Sequence, residues 1–88
     1  HYSLSNQLER SGTSIGANVR ESQRAQSRKD FIAKLNIALK EACESEYWLE
    51  LLCANEYITK AQFDSVFNDC RELTNILSQI VITSKSKN

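Results

Sequence analysis

Apolar residues in this chain recur at helical spacing in three stretches. Leu4, Leu8, Ile15 and Val19 fall at steps of four, seven and four, a single stripe on a helix over about 3–21. Phe31, Ile32, Leu35, Ala38, Leu39, Ala42, Leu49, Leu52 and Cys53 continue the pattern and predict one long helix over 28–55, about 40 Å at about 1.5 Å per residue. Phe63, Val66, Phe67, Cys70, Leu73, Leu77, Ile80 and Val81 alternate steps of three and four and predict a third helix over 60–83. Two starts are marked: Ser27 with Asp30, and Thr59 with Gln62, have capping-box spacing, and Asp30 is also placed to pair with Lys34 one turn on. A long rod needs partners along its length, and short connections force neighbours antiparallel. The expected fold is therefore all-α: an antiparallel up-down bundle over 1–84, three helices with room for a fourth, and a polar tail over 85–88.

Composition sharpens this picture in two places. With 88 residues, no proline and only two glycines, the chain lacks the punctuation of a β or α/β fold. Both glycines fall in the first stripe. Gly12 and Gly16 are four apart on one face, where each costs about 1 kcal/mol of helix propensity and where a second helix could come close in return. The chain opens on His1 and holds no methionine, so a fragment of a longer protein is expected. Three cysteines without C-x-x-C spacing, and a single histidine at the first position, argue against a zinc site or a disulfide framework; mostly buried thiols in a reducing compartment are expected. No apolar run is long enough to span a bilayer and no signal peptide is evident, so a cytoplasmic protein away from the membrane is expected.

Net charge is zero but unevenly placed: residues 10–40 carry a balance of +5 and residues 41–72 a balance of −6. Arg20, Arg24, Arg28 and Lys29 crowd the start of the long helix. Free N–H groups there attract anions, and cations in the first turn oppose the helix dipole unless a negative partner is near. That partner is either a phosphate or Asp30, the arginines in the second case only keeping an exposed turn solvated. Glu41, Glu44, Glu46 and Glu50 form an acidic run without a histidine at Glu-x-x-His spacing, which reads as a solvated helix face. Tyr47 and Trp48 could stack on bases, but an aromatic pair beside Leu49 reads first as core or subunit interface. No phosphate-binding glycine loop or nucleophile motif occurs and no histidine is placed to activate a serine, so neither enzymatic activity nor a cofactor is expected.

The stretch Ser14-Ile15-x-x-Asn18-Val19-x-Glu21, the following Lys29-Asp30-Phe31, the run from Ile37-Ala38-Leu39 to Glu46, and "YITKAQFD" together resemble the bacterial four-helix-bundle proteins encoded in intervening sequences of 23S ribosomal RNA genes, the S23 family. The resemblance covers about 3–82. It implies that the three helices are the second, third and fourth of a bundle whose first helix would precede His1. It also implies homo-oligomers, described as pentamers. A related branch, the accessory proteins of diversity-generating retroelements, implies nucleic acid and a reverse transcriptase as partners. Carried over residue by residue, the nucleic-acid role falls on Arg10, Arg20, Arg24, Arg28, Lys29 and Lys34. Gly12, Ser14, Gly16, Asn18 and Glu21 read as structural, Asn18 bonding backbone groups at the helix end and Glu21 pairing with a basic neighbour. The rival reading is a purely structural module that docks its basic half on an acidic surface.

Overall fold

The computed structural model describes residues 2–86, with side chains from Ser3 onward. These residues form three α-helices and no strand: α1 (Tyr2–Gln23), α2 (Arg28–Ala54) and α3 (Lys60–Lys85). Each lies within two residues of the element that its apolar stripe predicts. α3 runs through Lys85, so that residue belongs to the helix and not to a tail; His1, Lys87 and Asn88 lie outside the described residues.

Both ends of α2 are closed by local chemistry. Ser27, in extended conformation, accepts the Asp30 N–H at 3.0 Å, and its carbonyl takes the Phe31 N–H at 2.9 Å. At the far end Glu56 takes a positive φ of 61°, while Tyr57 N–H donates to Leu52 O at 2.9 Å and Glu56 N–H to Cys53 O at 3.0 Å. This is the Schellman pattern, which ties off the last carbonyls of a helix and is normally built on glycine. A glutamate there costs about 1 kcal/mol for the left-handed backbone. Both glycines of the chain sit elsewhere, inside α1. Thr59 and Gln62 then exchange the two bonds of a capping box at 3.1 and 2.8 Å and start α3.

α2 is the central element. It packs against α1 and against α3, whereas among the described residues no Cα of α1 comes within 8 Å of one in α3. The layer is flat, 46 × 20 × 13 Å. Its core gathers Ile15 from α1, Leu35, Ala38 and Ala42 from α2, and Leu77 and Val81 from α3, flanked by Val19, Phe31, Ile32, Leu39 and Leu73. Ala38 and Ala42 are wholly buried, because small side chains on α2 let the neighbours press close. On the α1 side that closeness is shared by serines: Ser11, Ser22 and Ser45 are all buried. Ser22 and Ser45 satisfy their hydroxyls on their own helices, donating to Val19 O at 2.6 Å and Glu41 O at 3.0 Å. The Ser11 hydroxyl is buried without a partner.

The close helix contact expected at the glycines is not made by α2 or α3. A Cβ built on Gly12 or Gly16 meets nothing within 4 Å, and both residues are exposed. At 100° per residue they lie round the helix from Ser11 and Ile15, beyond the edge that α2 covers. α1 therefore meets α2 through Ser11, Ser22, Ile15 and Val19 and leaves its glycine face open.

Candidate nucleic-acid interface

Of the six basic residues that the resemblance singles out, four collect at the α1–α2 connection. Arg20 stands in the last turn of α1, Arg24 one turn on in the connection, and Arg28 and Lys29 in the first turn of α2; all four are exposed. Their proximity follows from the fold: Arg24 N–H and Ala25 N–H close the turn on Glu21 O and Ser22 O, both at 3.1 Å, so few residues separate the two helices. Among the described residues the ion pairs take up Arg10, Lys60 and Arg71, and none involves Arg20, Arg24, Lys29 or Lys34. The expected Asp30–Lys34 pair is not formed. Lys34 is half-buried and lies further along α2, at the margin of the cluster.

Arg10 does not belong to this group. Its guanidinium lies 3.8 Å from Glu41 and 3.7 Å from Glu44, and its Nε donates to Gln7 Oε1 at 3.2 Å. Ten residues of helix, about 15 Å, separate it from Arg20. The basic half of the sequence thus neutralises part of the acidic half inside one chain, a pairing across helices that linear charge counting cannot register.

α3 supplies a cation that the sequence pattern assigned to a tail. Lys85, with Arg28, Lys29 and Ile32, lines a shallow cavity of about 320 Å³ at this end of the layer. The signal that could have found it is the Ser-Lys-Ser-Lys run at the chain end; the third apolar stripe stops at Val81 and gave no reason to extend the helix.

The supporting motif behaves differently from expectation. Asn18 Nδ2 donates to Ser14 O at 2.9 Å and Ser14 Oγ at 3.3 Å, inside α1, because the helix continues past it to Gln23. It braces one turn and does not cap the helix end. Glu21 is exposed and takes part in no ion pair among the described residues; its contribution to the turn is its backbone carbonyl.

The acidic run is not the solvated face its composition suggests. Glu46 accepts from Thr74 Oγ1 at 2.9 Å and lies 3.9 Å from Arg71, whose guanidinium stands 5.7 Å from the Phe67 ring centre. Glu41 is largely covered, with Oε1 buried and unpartnered. These carboxylates clamp helices together, and only Glu50 is fully turned outward. Among the described residues no group of three or more His, Cys, Asp or Glu side chains is arranged to hold a metal ion. Tyr47 and Trp48 meet at 5.1 Å in a tilted pair; Tyr47 is exposed, Trp48 is half-buried, and the indole N–H is buried without a partner. The thiols are less buried than expected, with Cys43 exposed and Cys53 and Cys70 half-buried. Among the described residues no helix is long and apolar enough to cross a membrane.

Comparison with known proteins gives this arrangement a context. A crystal structure of a protein with unknown function from the S23 ribosomal protein family of Bacteroides thetaiotaomicron VPI-5482 superposes with a TM-score of 0.87 at 62% identity, over 89% of this chain and 72% of that one. No curated protein matches. The profile of the 23S rRNA-intervening sequence proteins matches residues 1–79. The chain belongs to the 23S rRNA-intervening sequence protein family.

Proposed function

We propose that the protein is a non-enzymatic, self-associating helical module that binds nucleic acid through the basic end formed by Arg20, Arg24, Arg28, Lys29 and Lys85. The observation that carries this reading is the segregation of charge. Glu41, Glu44 and Glu46 of α2 are engaged with Arg10, Arg71 and Thr74, while Arg20, Arg24 and Lys29 face solvent at one end in no ion pair among the described residues. Cations at that spacing suit a phosphate backbone, and sequence-independent contact is the expected mode. RNA and DNA are both candidate partners, and a reverse transcriptase is a partner only if the chain works as the retroelement accessory proteins do.

Self-association rests on a second observation. Val66, Ile76 and Ile80 lie 38 to 50% exposed along α3, and the glycine face of α1 is open. Three helices in an antiparallel up-down-up layer, completed by a fourth, would cover both, and homo-oligomers of such bundles follow from the resemblance. The rival reading, a structural module without a nucleic-acid role, draws on the same exposed residues.

One titration separates the two. Fluorescence anisotropy with a labelled duplex at rising salt should give binding at 50 mM salt that weakens by about 100-fold at 200 mM if about four phosphates are contacted. Light scattering on the same samples reads the oligomer mass. Association without any duplex or single-strand binding at low salt would favour the structural module.

A further inference from the structure

We propose that Cys43 and Cys70 form a peroxide-responsive thiol pair that closes into a disulfide across α2 and α3. The placement is geometric. The Cys70 thiol donates to the carbonyl of Ala42 at 3.4 Å, which makes the residue after Ala42, Cys43, its immediate neighbour on the other helix. Standard peptide geometry then puts the Cys43 Cα within about 6 Å of the Cys70 sulfur. The helices are close at this point because Ala42 is wholly buried and presents only a methyl group. Cys43 is exposed, so its side chain can change rotamer, and a solute can reach it. The spacing is within the range from which a modest adjustment reaches disulfide geometry. Cys53 lies about three turns further along α2, near the opposite connection, and is outside the pair.

The environments assign the roles. Burial pushes the Cys70 thiol above its ordinary range, with the Glu46 carboxylate and Cys43 adding to the effect, so Cys70 is the slower, resolving thiol. The accessible Cys43 reacts first. Its thiolate attacks hydrogen peroxide: an S–O bond forms, the O–O bond breaks, and the departing hydroxide leaves as water. The ionised Cys70 sulfur then attacks the Cys43 sulfenic acid; the S–S bond forms, the S–O bond breaks, and a second water leaves. Two thiols have given two electrons to one peroxide. The bridge would staple the long central helix to α3 beside the Glu46–Thr74 bond.

The test is oxidation of the fully reduced chain with one equivalent of hydrogen peroxide, followed by alkylation in denaturant and intact mass. The alkylatable thiols should fall from three to one, with two hydrogens lost and no covalent dimer. Cleavage at glutamates separates Cys43 from Cys53 and should return the Cys43 and Cys70 peptides joined. The Cys53→Ser variant should lose both remaining thiols at the same rate, whereas Cys43→Ser and Cys70→Ser should form no internal bridge. Closure should accelerate as pH rises and go on accelerating past the ordinary thiol range, because burial holds the Cys70 thiol above it. A parallel reaction in guanidinium, where pairing has no native geometry to guide it, should give mixed products. A native bridge that includes Cys53, a disulfide-linked dimer, or Cys43 oxidised while Cys70 stays alkylatable would overturn the assignment.

Discussion

α2 makes two seams, and they are built from different materials. Towards α1 it meets serines and one buried aliphatic residue, Ile15, flanked by Val19, with Arg10 bridging to Glu41 and Glu44 on the solvent rim. Towards α3 it meets larger side chains, and a polar group crosses the interface directly: Thr74 donates to Glu46 while Arg71 stands between Glu46 and the Phe67 ring. Close approach through small residues leaves little room for a hydrogen-bonded bridge, and one seam carries a hydroxyl with no partner as a result. The longer side chains of the α3 seam supply such a bridge in Thr74 and Glu46. The difference also decides where charge ends up. Arg10 and Arg71 beside the seams find carboxylates, and Arg20, Arg24 and Lys29, beyond the seam at the α1–α2 connection, are in no ion pair among the described residues.

The largest effect should come from the cluster common to both seams. Leu77→Ala removes a side chain that is 3% exposed, and the loss of transfer energy plus the residual cavity should cost about 2 to 5 kcal/mol in urea unfolding. At about 4 to 8 °C per kcal/mol for a domain of this size, the melting temperature should fall by at least about 8 °C. A smaller loss would mean that the α3 side of the cluster is not packed as described.

Thr74→Val tests the α3 seam alone. It keeps the shape but removes the donor to a largely covered carboxylate, at a cost of about 1 to 2 kcal/mol by thermal or chemical unfolding. No change would show that the bond to Glu46 contributes no more than water does. The opposite sign is expected for Ser11→Ala. Removing a buried hydroxyl that has no partner should leave stability unchanged or raise it by up to about 1 kcal/mol. A clear destabilisation would mean that Ser11 makes a bond, and the contrast between the seams would disappear.

Much of this layout is legible in the residues, and the misses have physical causes. Ser27, Thr59 and Gln62 mark their helix starts because capping is local and depends on short spacings. The three stripes report the helices because burial of one face imposes its period on the chain. Gly12 and Gly16 make no close contact among the described helices, because a small residue permits close approach without requiring it and the partner face cannot be read from one helix. Arg10 stands apart from the other cations for a related reason. It lies among basic residues in sequence but beside Glu41 and Glu44 in space, and only the packing of α1 on α2 reveals this. Glu56 went unread because a Schellman turn at a residue other than glycine carries no compositional mark. Arg20, Arg24, Arg28 and Lys29 stay neighbours in space because consecutive turns of a short connection keep sequence neighbours together.

The central claim is that position in the fold, and not membership of the basic stretch, makes a cation available to a phosphate. Duplex binding at 50 mM salt by Arg10→Gln and by the double variant Arg24→Gln/Lys29→Gln, each checked for unchanged helical circular dichroism, tests it directly. Arg10→Gln should bind as the parent does, with the same salt slope. The double variant should bind at least about tenfold more weakly, with the salt slope reduced by about two phosphate contacts. Equal losses in both variants, or no binding by the parent chain, would contradict the account.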